Sequence, residues 1–100
     1  MSQLSTHVLD TSLGRPAMGV TVSLEHGDAV VARGTTDADG RIANLGPDRL
    51  DPGTYRLRFD TAGRSTFFPE VLIAFVVEDG DHLHVPLLLS PHGYTTYRGS

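Results

Sequence analysis

Hydrophobic positions recur along this chain with a period of two. Val20, Val22, Leu24 and His26 alternate with Thr21, Ser23 and Glu25. Tyr55, Leu57 and Phe59 alternate with Arg56, Arg58 and Asp60. An extended backbone sends successive side chains to opposite faces, so this spacing predicts strands with one wet face. Residues 4–10 alternate less cleanly and set Ser5, His7 and Leu9 on one face; residues 29–36 read as another short strand. Turn chemistry separates these runs: Leu13-Gly14-Arg15-Pro16, Asp37-Ala38-Asp39-Gly40, Gly46-Pro47-Asp48 and Asp51-Pro52-Gly53. Proline presets φ, glycine admits positive φ, and aspartate bonds the backbone just ahead of it. Turns about every ten residues mark a sandwich or barrel.

The last third breaks the pattern. Residues 71–77 are apolar on both parities. Leu83, Val85, Leu87 and Leu89 share one face of the next strand, opposite His82, His84, Pro86 and Leu88. A strand apolar on both sides has no second core to face in a small sandwich. A subunit interface is the simplest resolution. Pro86 cannot donate to a ladder, which predicts an edge or a bulge there. Residues 61–66 are the one helix candidate, and they contain Gly63. The fold expected is all-β: a two-sheet Greek-key sandwich of seven or eight strands, with at most one short helix.

One hundred residues make one domain, 1–100, with no cysteine to staple it. A domain of this size keeps a thin stability margin and often gains from burying a face on another subunit. The net charge is −4 and the basic residues are scattered, which argues against a nucleic-acid partner. The apolar run 71–77 is too short to span a bilayer, and residues 2–6 are polar rather than leader-like. A cytoplasmic location is the default expectation.

Candidate chemistry centres on imidazoles. His26 continues an inward parity and reads as an edge or packing residue. His82 follows the turn Asp79-Gly80-Asp81, and His92 lies in Ser90-Pro91-His92-Gly93; both read as surface residues. His7 and His84 differ, each lying inside a strand among apolar neighbours. Singly, either is a satisfied buried histidine; as a pair in so small a chain they suggest a site. His82-Leu83-His84 has metal-site spacing, but no third ligand is near in sequence. Asp37-Ala38-Asp39-Gly40 fails as a calcium loop, because Arg41 occupies the fifth position and glycine the fourth rather than the sixth. Arg41 reads either as a solvated edge residue or as a fork for an oxygen-rich planar ligand.

Several segments, in order along the chain, resemble the 5-hydroxyisourate hydrolase family, the enzymatic relatives of transthyretin. They are Leu4-Ser5-Thr6-His7-Val8-Leu9-Asp10 with Gly14-Arg15-Pro16-Ala17, then Phe67-Phe68-Pro69-Glu70-Val71, then residues 82–91, then Tyr94-Thr95-Thr96-Tyr97-Arg98-Gly99-Ser100. The resemblance spans essentially the whole chain. Hormone-carrying transthyretin lacks the Tyr-Arg-Gly-Ser ending and the site histidines. Members of the family carry a longer segment with a short helix where this chain has only 62–66.

The resemblance implies hydrolysis of 5-hydroxyisourate in urate degradation, a homotetramer built as a dimer of dimers, and no cofactor or metal. The catalytic set it implies is His7, Arg41, His84 and Ser100, with Tyr97 touching substrate. The alternative expectation is a non-enzymatic prealbumin-like module that binds a planar small ligand.

Overall fold

The structure, a computed structural model, describes residues 2–99. Two sheets pack face to face. One contains β1 (Leu4–Asp10), β2 (Arg15–Pro16), β5 (Arg41–Ile42), β8 (Leu83–Ser90) and β9 (Gly93–Thr96). The other contains β3 (Thr21–His26), β4 (Ala29–Thr35), β6 (Gly53–Asp60) and β7 (Glu70–Val77), in the order β4-β3-β6-β7. The order in the first is β2-β1-β8-β9, with β5 also paired to β1. Seven of these strands have four residues or more, and two are two-residue pairs along β1.

Period-two patterning became two facing apolar surfaces. Leu4 and Val8 of β1, Leu87 and Leu89 of β8, Val22 and Leu24 of β3, and Leu57 and Phe59 of β6 are all buried between the layers. Each such side chain is worth about 1.5–3 kcal/mol on removal from water. The buried polar residue Thr6 is satisfied, its hydroxyl donating to the Val85 carbonyl at 2.6 Å.

One expectation about β8 fails. Pro86 lies on an inner strand, with β1 on one side and β9 on the other, and the register shows no bulge. Leu87 faces Thr96 and His84 faces Gly99, so the same register sets Tyr97 opposite Pro86. His84 and Pro86 turn their carbonyls to this side, accepting from Gly99 N–H (2.8 Å) and the Thr96 hydroxyl (2.8 Å). Proline has no N–H to return. The ladder therefore lapses over Tyr97 and Arg98 and resumes at Gly99. Proline is tolerated because the break falls where β9 ends.

Among the described residues there is no helix. The candidate segment makes a single turn, in which Arg64 and Ser65 N–H both reach the Thr61 carbonyl at 2.9 Å. The Ser65 hydroxyl then ties it to the Pro91 carbonyl at 2.8 Å. Six residues that include a glycine are too few to repay helix nucleation. His26, at the end of β3, is exposed and stacks on Tyr55 with ring centroids 4.3 Å apart. It packs on a ring, but at the exposed end of its strand and not on the inward side its parity predicted.

The turn before β5 is held by Asp37. Its carboxylate accepts from the N–H groups of Asp39 (2.9 Å) and Arg41 (3.0 Å), and its carbonyl from Gly40 N–H (2.9 Å). Gly40 has φ 73°, and a Cβ there would lie 2.4 Å from the Val8 carbonyl oxygen. Gly14, at φ +67°, has nothing within 4 Å of the same atom. Gly40→Ala should therefore lose about 1–3 kcal/mol more stability than Gly14→Ala, which carries only left-handed strain. Urea unfolding of both variants checks this difference.

Candidate active site

The side of β1 that avoids the core carries Ser5 and His7, and the equivalent side of β8 carries His84. Register then decides what meets. In the parallel β1–β8 pair, Ser5 lies opposite His84. In the antiparallel β1–β5 pair, His7 lies opposite Arg41. Beyond β8, the chain returns to place Gly99 opposite His84. Arg41, His7, Ser5, His84 and Gly99 thus form a row across adjacent backbones, on a sheet face that folding alone would leave to water.

They border a cleft of about 420 Å³ lined by Ser5, His7, Arg41, His82, His84, Tyr97 and Gly99. Four of the five residues singled out from sequence are here: His7, Arg41, His84 and Tyr97. Ser100 lies outside the described residues. His92 sits in the β8–β9 turn, and His26 on the other sheet; neither lines this cleft. His82, read as a surface residue, is exposed but belongs to the wall. Among the described residues, no three His, Asp or Glu side chains come together as metal ligands.

Each histidine is oriented through one ring nitrogen. His7 Nε2 lies 2.9 Å from the Asp39 carbonyl oxygen. A carbonyl only accepts, so Nε2 carries the proton and Nδ1 remains available. The Asp37-centred turn thereby does two jobs, launching Arg41 and anchoring His7. His84 Nδ1 lies 2.8 Å from the Ser5 hydroxyl oxygen.

Electrostatics separate His84 from an ordinary surface imidazole. Burial disfavours its cation most, and the nearby positive groups Arg41, His7 and His82 add to this; a hydrogen bond to the Ser5 backbone opposes them. Its pKa falls below the usual 6.5. His84 is therefore neutral near pH 7 and can accept a proton. Arg41 is exposed, and among the described residues no carboxylate lies within ion-pair distance of it. A base, a second imidazole and an exposed guanidinium on one cleft suit the hydrolysis of an oxygen-rich, planar molecule.

Sequence reasoning missed Ser5, the Asp39 carbonyl and Gly99. Ser5 left a signal, since it shares a strand face with His7. The Asp39 carbonyl left none, because a backbone acceptor has no residue signature.

A model of the HIUase/Transthyretin family matches residues 4–99. The chain belongs to this family. It is 46% identical to 5-hydroxyisourate hydrolase of Salmonella typhimurium, over 97% of this chain and 80% of that protein. The solved structure of Klebsiella pneumoniae 5-hydroxyisourate hydrolase superposes with a TM-score of 0.89 at 47% identity, covering 97% of this chain and 98% of that one. Sea bream transthyretin, solved in complex with thyroxine, superposes with a TM-score of 0.86 at 32% identity, covering 97% and 94%. The family's two-sheet sandwich is thus the fold found here. The short helix that the resemblance attributes to the family is replaced by the single turn at Thr61.

Because the pKa of His84 is lowered, its basic form survives into stronger acid than that of a free imidazole. If His84 is the base, kcat/KM should be level through pH 7 and fall only as pH drops through a value below 6.5. A pH–rate profile between pH 5 and 8 checks this. A midpoint above 6.5 would remove His84 as the base.

Proposed function

We infer that this chain is a 5-hydroxyisourate hydrolase acting in urate degradation, and that His7, Arg41 and His84 carry the reaction. The observation that carries this reading is convergence. Residues 7, 41 and 84 come from three strands and meet at one cleft, in a chain whose relatives at 46–47% identity are hydrolases of this name.

The reaction opens the six-membered ring of 5-hydroxyisourate at a cyclic amide-like C–N bond. Neutral His84 takes a proton from water as its oxygen bonds to the ring carbonyl carbon. Arg41 holds the oxygen-rich ring and offsets the charge that develops on the carbonyl oxygen. The C–N bond then breaks, and the leaving nitrogen takes up the proton that His84 gained from water. His7, with Nε2 committed to Asp39, presents the Nδ1 lone pair, which accepts the remaining hydroxyl proton as the carboxylate forms. The product is 2-oxo-4-hydroxy-4-carboxy-5-ureidoimidazoline. Tyr97 contacts the substrate, and Ser100 completes the catalytic set.

The protein works as a homotetramer, a dimer of dimers. Supporting this, β7 and β9 are open edges of their sheets. The outward side chains of β7 are apolar and wet: Leu72 is 44% and Val76 60% exposed. An unpaired edge with an apolar outer face invites a second subunit.

Fresh 5-hydroxyisourate, generated by urate oxidase, should decay faster in proportion to added protein. Decay at the buffer rate would leave the binding-module alternative. His7→Asn and His84→Asn should each lower turnover by about 10²–10⁴-fold, and His26→Asn and His92→Asn should change it little. Deleting Ser100 should reduce turnover without lowering the unfolding temperature.

Light scattering at micromolar concentration should give a tetramer mass. A monomer mass would contradict the assembly.

A further inference from the structure

The proposed chemistry needs one nitrogen of His84 free to accept a proton, and with Nδ1 against the Ser5 hydroxyl that nitrogen is Nε2. Two groups outside the proposed catalytic set grip it. The Ser5 hydroxyl lies 2.8 Å from Nδ1. On the other side, Gly99 lies so close that a Cβ added there would sit 2.5 Å from Cδ2, the ring carbon bonded to Nε2. Gly99 N–H also donates to the His84 carbonyl at 2.8 Å. The imidazole is thus held at Nδ1 from β1, and beside Cδ2 the returning chain has room only for a glycine. Rotation about the Cβ–Cγ bond would break the Nδ1 contact.

We propose that Ser5 is a positioning residue: its hydroxyl accepts the Nδ1–H of His84, fixing the tautomer that leaves the Nε2 lone pair for water or substrate. This rests on the functional reading above and deepens it. A serine hydroxyl can donate or accept, so distance alone does not choose between tautomers. The proposed role does. Burial holds the ring neutral, and Arg41, His7 and His82 on the same cleft add to this, so one nitrogen carries the proton and the other does not. The base needs its lone pair on the nitrogen that Ser5 leaves free, which is Nε2, so Nδ1 bears the hydrogen that the Ser5 hydroxyl accepts. Parallel register makes this possible, because Ser5 and His84 are direct partners.

The test has two independent readouts. The first is the ¹⁵N NMR spectrum of histidine-labelled protein, with His84 assigned from its absence in His84→Gln. At pH 7.5, wild-type His84 should show a protonated Nδ1 and an unprotonated Nε2, whether or not the protein hydrolyses anything. A protonated Nε2 would overturn the proposal. If the wild type shows no hydrolysis, the functional reading fails while this readout still decides the tautomer.

The second readout is kinetic and uses an isosteric pair that suits a strand. Ser5→Thr keeps the hydroxyl, and Ser5→Val replaces it with a methyl group. Ser5→Thr should keep kcat near wild type. Ser5→Val should lower kcat by about 10²-fold, the scale of a misplaced catalytic group, with KM little changed. In a His84→Gln background, exchanging Ser5 for Val should cost nothing further. Equal kcat for the Thr and Val variants, or a full additional loss in the His84→Gln background, would show that Ser5 does not act through His84.

Discussion

β1 and β8 run parallel through seven paired residues, from Leu4 opposite Leu83 to Asp10 opposite Leu89. A one-residue slip in this pair would turn His84 into the core and Val85 to the outside. A two-residue slip would keep the faces but carry Ser5 roughly 6–7 Å along the strand from His84. Both are opposed by the same groups. Leu4, Val8, Leu83, Val85, Leu87 and Leu89 fill the interior. Thr6 is bonded to Val85 inside it, Leu83 N–H to Gln3, and Thr11 N–H to Leu89. Core packing thereby sets the geometry of a site on the opposite face, without any core residue touching the cleft.

The two strands lie nearly at opposite ends of the chain, so their pairing closes almost the whole polypeptide. Everything between them serves that closure or hangs a functional group on it. The Asp37 turn brings β5 to β1 and delivers Arg41 opposite His7. Pro86 ends the β9 ladder and releases Tyr97 and Arg98 from the sheet, before Gly99 rejoins it at His84. The second sheet contributes half the core, and charged side chains brace its outer face. There Arg58 bridges Glu25 and Glu70 at 2.7 and 2.6 Å and, with Arg56, keeps the Glu25 carboxyl below its ordinary range.

The fold was legible wherever one face of a strand is wet, as in residues 20–26 and 55–60, because alternation there records both strand and facing. It was less legible where a position depends on a neighbour. Pro86 read as an edge or bulge because the rule against ladder proline is local, whereas the break that accommodates it belongs to the end of β9. His7 and His84 stood out as imidazoles among apolar residues. His82 looked like a surface residue, which by exposure it is, yet the cleft wall includes it. Ser5 and Gly99 carry no chemistry of their own. Their relation to His84 exists only once register is fixed, and register is a property of pairs of strands rather than of either sequence. The segment 61–66 read as the one helix candidate, and it forms a single turn, because so short a segment does not repay helix nucleation.

In the proposed mechanism His7 and His84 are two halves of one proton-transfer device joined through a shared substrate. A double-mutant cycle on kcat measures that directly. If the two act as a unit, the variant lacking both imidazoles should be about as slow as the slower single variant. Losses that multiply, so that the double variant equals the product of the two single effects, would mean the histidines act independently. The convergence of strands at this cleft would then not be what makes the enzyme work.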